Sequence, residues 1–248
     1  MKAILLAGGF GQRLKPISEF VPKPLLPLNG KPLLDFIINK IEDIDEIDEI
    51  LISTNKYFEN HFLYWVEKYR GKKKITLVVE PSLKEEEKLG AIGGLNYTIK
   101  SSQLYDDILI VASDNFLEVN LRDMVDFFKK ERKIIIGVYE LLNEDPSRFG
   151  VVCMNNNIIT DFQEKPKQPK SNIVSTGCYI IPKEKIFLID MYLNSNLNPD
   201  ALGYFFEWLI KREIVVGFKL EGIWFDIGTV EAYKQLDSLI RGGLIKHI

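Results

Sequence analysis

Short apolar runs alternate with amphipathic segments through the first 140 residues, and this alternation restricts the fold more than any other feature of the chain. The runs are rich in Ile, Leu and Val, as buried strands are. Between them, apolar residues recur at helical spacing, as do Leu34, Ile37, Ile38 and Ile41. The alternation predicts a parallel sheet with helices on both faces. The predicted strands are 3–7, 49–54, 75–80, 108–113 and 134–140, and the predicted helices are 34–44, 58–69 and 121–128.

The second half of the chain has a different pattern. GVVCM, three asparagines and IITDFQE at 150–164 predict a β-hairpin, because asparagine tolerates turn conformations. We therefore predict one α/β domain over 1–248, a Rossmann-like mixed, mainly parallel sheet in an α/β/α sandwich. A small β-rich insertion is predicted to form one side of a cleft. The other predicted elements are a strand at 173–181, helices at 186–193, 204–210 and 230–240, and an extended run at 215–220.

Composition argues against several classes of protein. The formal net charge is −3, whereas a nucleic-acid binder is expected to carry a basic excess. Cys153, Cys178, His61 and His247 are the only cysteines and histidines, and their spacing suggests neither a metal site nor a disulfide framework. No apolar run reaches the length of a signal-peptide core or a membrane span. We predict a cytoplasmic protein without nucleic-acid or membrane partners.

The stretch AILLAGGFGQRLKP, residues 3–16, carries a predicted strand directly into three glycines. Glycine lets a ligand approach the backbone closely, and the N–H groups of such a loop can hold phosphate oxygens. A tight turn without a ligand is the alternative interpretation. Arg13 can bind a phosphate through two parallel hydrogen bonds, and Lys23, fixed between Pro22 and Pro24, offers a compact positive charge. Taken alone, Lys23 is equally compatible with an exposed loop.

Two standard phosphate-binding motifs do not fit these glycines. The dinucleotide fingerprint fails because Leu14 stands at its third glycine position. The P-loop fails because Pro32 follows Lys31, and Leu25 stands at the upstream glycine position. A nicotinamide-dependent oxidoreductase is therefore not favoured.

Three polar segments follow predicted strands, and ligands of α/β sheets bind beyond the carboxyl ends of the strands. The segments are the glycine stretch, the loop from Pro81 to Gly90, and Ser113 to Asn115. Their convergence favours a ligand site. Asp114 alone is also compatible with a turn or with the cap of a helix before Leu117.

The glycine stretch and the following PKPLLPLNGKPLL (22–34) resemble the N-terminal signature of the sugar-1-phosphate nucleotidyltransferases, the NDP-sugar pyrophosphorylases. The likeness covers nearly the whole chain. This resemblance implies that 1–140 bind mainly nucleotide, and that 141–248, with the β-rich insertion, bind mainly sugar phosphate. The likeness continues through LGAIGGL (89–95), SDNF (113–116), RFGVV (148–152), FQEKP (162–166), STGCYI (175–180) and WFDIGT (224–229).

The resemblance also implies an activity and its residues. The activity is magnesium-dependent transfer of a nucleotidyl group from a nucleoside triphosphate to a sugar-1-phosphate, with release of pyrophosphate. Arg13, Lys23 and Asp114 are implied to be catalytic, and Asp114 and Asp226 match the paired magnesium ligands. Those implied to hold the nucleotide are Gly8, Gly9, Gly11, Arg13, Lys23, Glu80 and Gly90. Those implied to lie on the sugar-phosphate side are Gly150, Glu164, Lys165, Asn172 and Gly177.

The chain departs from the family pattern at three places. Ser113 stands where the family most often has glycine, and a small residue should still fit there. Glu80 stands where thymidylyl and uridylyl enzymes often carry glutamine. An ionised carboxylate accepts hydrogen bonds but donates none, so guanine or cytosine is a candidate base. The Glu85–Lys88 insertion is predicted to be a solvated loop tip.

The resemblance favours glucose-1-phosphate with dTTP or UTP as the substrates. The alternatives are a guanylyl- or cytidylyltransferase acting on mannose-, heptose- or another sugar-1-phosphate, and a non-catalytic regulatory relative that binds nucleotide sugar. The regulatory relative is expected to lose the metal aspartates or the phosphate-binding cations, which are present here.

No C-terminal hexapeptide repeats are seen, so acyltransferase activity is not expected. Apolar residues in 239–248 either seal a homo-oligomer or cap the core.

Overall fold

The structure, a computed structural model, describes residues 1–245. Its strands are β1 (Lys2–Leu6), β2 (Pro27–Leu28), β3 (Lys31–Pro32), β4 (Glu49–Asn55), β5 (Lys74–Glu80), β6 (Ile108–Ala112), β7 (Asn115–Val119), β8 (Ile134–Glu140), β9 (Gly150–Asn155), β10 (Ile158–Glu164), β11 (Ile173–Ile181), β12 (Val215–Lys219) and β13 (Gly222–Asp226). Its α-helices are α1 (Leu33–Glu42), α2 (Glu59–Lys68), α3 (Gly90–Ser101), α4 (Leu121–Glu131), α5 (Phe187–Asn194), α6 (Leu202–Leu209) and α7 (Val230–Arg241).

Nine of these strands form one sheet in the order β5-β4-β1-β6-β11-β8-β12-β10-β9. The strands β5, β4, β1 and β6 run parallel, as do β8 and β12. The strand β11 lies antiparallel between β6 and β8, and the hairpin of β9 and β10 extends the far side of the sheet. The predicted mixed sheet and hairpin are confirmed. Strands from both predicted halves of the chain lie in this one sheet.

Helices cover both faces of the sheet, as predicted. The helices α1, α2 and α4 pack on one face, and α3, α5 and α6 pack on the other. Successive residues of β1 supply both cores, since Ala3 and Leu5 join one cluster and Ile4 joins the other. A strand buried on both faces reads as a continuous apolar run, which explains why β1 was recognisable in the sequence.

A third apolar cluster lies under α7 and includes Leu236, Ile240 and Ile245. These residues cap the core, as one interpretation of the C-terminal segment predicted, whereas Leu244 is 76% exposed. Residues 246–248 of that segment lie outside the described part of the chain, and an oligomeric contact stays a prediction. Among residues 1–245, no helix has the length and apolar character needed to cross a bilayer.

The elements that were not predicted from the sequence include α3, β7 and β13. Helix α3 contains Gly90, Gly93 and Gly94, and glycine is a poor helix former. The strands β7 and β13 are five residues each and pair only with one another, in a small separate sheet. Such short segments carry too little periodicity to identify a strand, so their pairing depends on tertiary packing.

A charged ladder crosses three strands at the amino-terminal edge of the sheet. Lys2 on β1 pairs in register with Glu49 on β4, and Glu49 pairs in register with Lys74 on β5. The two lysine nitrogens lie 3.0 and 2.7 Å from the Glu49 carboxylate, which also accepts a 2.5 Å hydrogen bond from Thr76. Burial alone would raise the pKa of Glu49, but these partners outweigh it and lower the pKa to about 2.

We expect Glu49→Gln to lower the free energy of unfolding at pH 7 by about 1 kcal/mol, discounted because Lys74 is solvent-exposed. A depressed pKa stabilises the folded state above the unfolded-state value of 4.5, and this stabilisation is lost as the pH falls towards 2. The difference from the wild type should therefore shrink progressively below pH 4.5. Urea unfolding at pH 7, 5, 4 and 3 would measure it, with exposed Glu86→Gln as the control. A difference that does not change with pH would contradict this account.

Candidate active site

A cleft of about 550 Å³ opens at the carboxyl ends of β1, β5 and β6. The predicted site residues that line it are Gly8, Gly9, Gly11, Arg13, Lys23, Glu80, Gly90, Asp114, Gly150, Glu164, Lys165, Gly177 and Asp226. Asn172 is the exception: its side chain is exposed at the start of β11, and its amide donates to the carbonyl of Leu141 at 2.9 Å. The predicted sugar-side position of Asn172 is therefore not supported by the geometry.

The glycine stretch forms the loop that follows β1. Gly11 has a φ of 65°, and its carbonyl accepts a 2.7 Å hydrogen bond from the hydroxyl of Ser18. A 3-10 turn follows at Gln12–Leu14, and its N-terminus has no side-chain cap. Arg13 lines the cleft and makes no ion pair within residues 1–245. A phosphate oxygen could therefore bind this guanidinium without displacing a carboxylate.

Lys23 and Asp114 form the central ion pair of the cleft, with Nζ 3.0 Å from Oδ2. The Lys23 side chain is only 12% exposed, whereas that of Asp114 keeps 47% of its accessible area because it faces the cleft. Burial by itself would raise the pKa of Asp114. The charge and hydrogen bond of Lys23 outweigh that effect, so the pKa is lowered and the carboxyl is ionised at neutral pH.

The pairing of β7 with β13 brings the second carboxylate to the first. Asp226, the last residue of β13, pairs with Asn115, which directly follows Asp114. The N–H of Ile227 also donates to the carbonyl of Asp114 at 3.2 Å. Burial, and then the charge of Asp114, raise the pKa of Asp226. Because a strand begins at Asn115, the alternative of Asp114 as the cap of a helix before Leu117 is wrong.

Two residues without a predicted role position Asp114. The Asn115 amide donates to Asp114 Oδ1 at 3.0 Å, and the indole N–H of Trp224 donates to Asn115 Oδ1 at 3.1 Å. Gly177 lies at the irregular part of β11 with a φ of 78°, and a Cβ there would be 3.0 Å from the Asn115 amide nitrogen. Asn115 and Trp224 both lie in motifs that carry the family resemblance, but the contact between them depends on the pairing of β7 with β13.

The sugar side of the cleft is built on the end of β10. The Glu164 side chain is 8% exposed, and Lys165 Nζ lies 3.3 Å from its Oε1. Burial raises the pKa of Glu164, and Lys165 only partly opposes this. Lys165 has a φ of 49°, uncommon for a residue with a side chain, and its N–H donates to the carbonyl of Phe149 at 3.0 Å. A Cβ at Gly203 of α6 would overlap Glu164 Oε2, so a larger residue there would shift the Glu164 carboxylate.

The remaining unpredicted lining includes Arg148 and the segment around Asp200. Arg148 has no ion pair with any residue of the described part of the chain. The carbonyls of Pro199 and Asp200 accept from the first N–H groups of α3, beside Gly90. Lys88 lies 2.8 Å from Glu85 and 3.7 Å from Asp200. The predicted solvated loop tip is confirmed for Glu86, Glu87 and Lys88, which are exposed, although Glu85 and Lys88 also line the cleft.

Ser113, which stands where the family most often has glycine, fits at its position before Asp114 as expected. Its side chain is buried, and its hydroxyl donates to the carbonyl of Leu6 at the end of β1. The backbone N–H of Ser113 donates to the same carbonyl at 3.2 Å. The serine thus ties the ends of β1 and β6 together under the cleft.

The carboxylates of Asp114 and Asp226 fit a magnesium ion. Mg²⁺ is commonly held by one or two carboxylates together with substrate phosphates. Besides burial, the charge of Asp114 raises the pKa of Asp226, and a cation between the two carboxylates would relieve that repulsion. No cluster of three or more His, Cys, Asp and Glu side chains with metal-binding geometry occurs within residues 1–245, so the protein would supply only part of the coordination.

A family model described as nucleotidyl transferase matches residues 2–241, and the chain belongs to that family. The predicted resemblance to sugar-1-phosphate nucleotidyltransferases is confirmed by the relatives.

Two curated relatives and one solved structure illustrate the range of the family. The bifunctional protein GlmU of Methanocaldococcus jannaschii is 34% identical over 95% of this chain and 54% of its own length. A mannose-1-phosphate guanyltransferase of Debaryomyces hansenii is 29% identical over 92% of this chain and 61% of its own length. The chain thus spans little more than half of these relatives. A UDP-glucose pyrophosphorylase complexed with UDP-glucose has a TM-score of 0.79 over 97% of this chain and 98% of that one; its 20% identity supports the fold alone.

Proposed function

We propose that this protein transfers a nucleotidyl group from a nucleoside triphosphate to a sugar-1-phosphate and releases pyrophosphate. The observation that carries the proposal is the convergence of Lys23, Asp114 and Asp226 in one cleft with Arg13 and Arg148, two arginines that make no ion pair within residues 1–245. Four chain segments far apart in sequence supply these groups. Membership of the nucleotidyl transferase family supports the same reaction class.

The reaction brings two anionic phosphates together, and the cleft carries the charges that such a step requires. An oxygen of the sugar phosphate attacks the α-phosphorus, a new P–O bond forms, and the bond to the bridging oxygen of the β-phosphate breaks. The electron pair of that bond leaves on pyrophosphate. The attacking phosphate is already ionised near neutral pH, since the second pKa of a phosphate monoester is about 6, so no covalent nucleophile or general base is needed. Catalysis then consists of positioning and charge stabilisation.

Each charged residue has a proposed part in that step. Arg13 holds the departing pyrophosphate, Lys23 contacts the phosphates that react, and Lys165 binds the phosphate of the sugar. Glu164 accepts hydrogen bonds from sugar hydroxyls, since its carboxylate faces the cleft beside Lys165. Asp114 and Asp226 would hold Mg²⁺, which neutralises phosphate charge when bound.

Two alternative pairs of substrates are proposed. Glucose-1-phosphate with dTTP or UTP is the pair that the family resemblance favours. A guanylyltransferase acting on mannose- or heptose-1-phosphate is the second candidate, because a carboxylate, Glu80, stands on the nucleotide side of the cleft. The relative from D. hansenii carries the name of a guanyltransferase.

Pyrophosphate release from the purified protein with Mg²⁺ tests the proposed function. The panel combines dTTP, UTP, CTP, GTP and ATP with glucose-, mannose-, galactose-, N-acetylglucosamine- and heptose-1-phosphates. Release that requires both a triphosphate and a sugar phosphate supports the transferase. Silence across the panel while a nucleotide sugar still binds would instead support the non-catalytic, regulatory alternative.

A further inference from the structure

Asn55 is a buried polar residue that connects two chain segments behind the cleft. It ends β4 and is 0% exposed. Its side-chain amide donates a 2.9 Å hydrogen bond to the carbonyl of Gly8, and its Oδ1 accepts a 2.9 Å hydrogen bond from the N–H of Phe58. Gly8 lines the cleft, whereas Asn55 does not. One end of the amide therefore holds the glycine loop after β1, and the other holds the turn at 55–58 that leads into α2.

The same turn contacts the glycine loop at a second point. The ring of Phe10 packs on those of Tyr57 and Phe58, with centroids 6.1 and 6.2 Å apart, and Phe10 is buried. The hydrogen bond to Gly8 and this aromatic contact lie on either side of Gly9. The turn after β4 thus fixes the loop immediately before and immediately after Gly9.

The backbone donors of the glycine loop are free to bind a ligand. The N–H groups from Gly8 to Gly11 donate no hydrogen bond to any residue among 1–245. A Cβ at Gly9 would meet no atom within 4 Å, so the space beside Gly9 is open. Arg13 lines the same cleft. Backbone N–H groups and a guanidinium are donors from which phosphate oxygens accept hydrogen bonds.

The hydrogen bond from Asn55 sets the orientation of the peptide between Gly8 and Gly9. This peptide is trans. In a planar trans peptide the carbonyl and the N–H of the next residue point in opposite directions. Because the Gly8 carbonyl is held towards Asn55, the Gly9 N–H points away from Asn55. Two successive glycines have wide backbone freedom, so this peptide can rotate when the hydrogen bond is removed.

We propose that Asn55 is a positioning residue for the triphosphate substrate: its hydrogen bond to the Gly8 carbonyl directs the N–H of Gly9 into the cleft, where that N–H donates to a phosphate oxygen. The proposal rests on the proposed function only in placing a triphosphate in this cleft. Asn55 itself touches no substrate and acts through the loop. Its loss therefore weakens the binding of the triphosphate and leaves the sugar-phosphate side, built on the end of β10, unchanged.

Asn55→Ser and Asn55→Asp separate the two hydrogen bonds of this side chain. Both keep an oxygen that can accept from the N–H of Phe58, since serine and aspartate form the same kind of turn, so α2 should remain folded. Neither keeps the donor to the Gly8 carbonyl: an ionised carboxylate only accepts, and the serine side chain ends one bond earlier. Serine also adds no charge. Asn39→Ser and Asn39→Asp, the same changes at an exposed position of α1, are the matched controls.

Affinity for the triphosphate is the first measurement. Calorimetry with Mg²⁺ on the intact protein would compare GTP, UTP and dTTP. We expect both Asn55 variants to bind the preferred triphosphate roughly 10- to 100-fold more weakly than the wild type, the range for loss of a hydrogen bond to a charged group. In steady-state assays the KM for the triphosphate should rise by a similar factor, and the KM for the sugar phosphate should not change. The Asn39 variants should behave as the wild type.

Hydrogen exchange at the Gly9 amide tests the proposed contact without any substitution. The chain has 17 glycines, few enough for the amide signals of ¹⁵N-glycine-labelled protein to be assigned. The Gly9 amide should exchange rapidly in the free protein and at least about tenfold more slowly with the triphosphate bound. Gly30, an exposed glycine that does not line the cleft, should show no change. If neither Asn55 variant folds, this measurement decides, and a Gly9 amide that stays unprotected overturns the inference.

The outcomes separate the inference from the proposed function. Folded Asn55 variants that bind the triphosphate as the wild type does overturn the inference, even if pyrophosphate release shows transferase activity. An equal rise in KM for both substrates also overturns it, since a general loss of structure would act on both sides of the cleft. Selective loss of triphosphate affinity, without pyrophosphate release by the wild type, supports the inference and contradicts the proposed catalytic function. Absence of triphosphate binding by the wild type contradicts both.

Discussion

Asp114→Asn is expected to lower kcat/KM for pyrophosphate release by about a hundredfold, on the order of 3 kcal/mol in the transition state. Asparagine keeps the shape of the side chain but removes the negative charge that faces Lys23 at 3.0 Å. It also turns a proposed metal ligand into a neutral amide, so we expect the activity of the variant to require more Mg²⁺. Steady-state rates of the variant and of the wild type, measured at saturating and at limiting Mg²⁺, would test both expectations.

Two further variants make this expectation specific. Lys23→Ala should cost a similar factor, and the double variant should lose less than the product of the two losses, because the side chains interact directly. Asp45→Asn, at a side chain that is 92% exposed, should keep wild-type activity. Near-normal turnover of folded Asp114→Asn would remove Asp114 from the catalytic assignment.

Phe206→Ala is expected to lower the free energy of unfolding by about 3–5 kcal/mol. Phe206 of α6 is fully buried, and its ring stacks on that of Tyr179 with centroids 4.2 Å apart and planes at 12°. Phe205 and Phe162 contact it at 5.3 and 6.4 Å between ring centroids. The substitution would leave a cavity between α6 and the sheet, which rigid neighbours fill only in part.

Urea unfolding at 25 °C and pH 7 would measure this loss. Phe187→Ala makes the same chemical change on α5 at a side chain that is 54% exposed, and it should change stability by less than about 0.5 kcal/mol. Tyr179 lines the cleft, and α6 begins beside Glu164. The folded Phe206→Ala variant should therefore also show a larger rise in KM for the sugar phosphate than for the triphosphate. A stability loss below about 1 kcal/mol would contradict the assigned packing.

Much of the site was predictable because its residues lie in ordered motifs. The glycine loop, Lys23 and Asp114 follow directly from the strand ends at which ligands of such sheets bind. The positioning contacts were not predictable. Trp224 reaches Asn115 only because β13 pairs with β7, more than a hundred residues away in sequence. Asn172 shows the same limit: it is close in sequence to Gly177, but it does not line the cleft, and its amide donates to the carbonyl of Leu141.

For Glu80, the residue type in the sequence predicts only part of what the structure shows. The sequence shows a carboxylate where related enzymes often carry glutamine. It does not show that this carboxylate is buried, that no lysine or arginine in the described part of the chain pairs with it, or that it lies against Gly8 and Gly94. Those properties arise because β1, β4 and β5 are neighbours in the sheet and α3 packs over their ends.

The sequence by itself determined the strands of the central sheet, most of the helices that cover it, the family, and the order of the charged motifs. Apolar periodicity is a local property, and a strand buried on both faces or a helix with one apolar face is visible along the chain. Only the tertiary structure decided that β11 runs antiparallel between β6 and β8, that β7 pairs with β13, and which side chains meet in the cleft. Strand order and side-chain contacts depend on burial and pairing between distant segments, and a local pattern does not encode them.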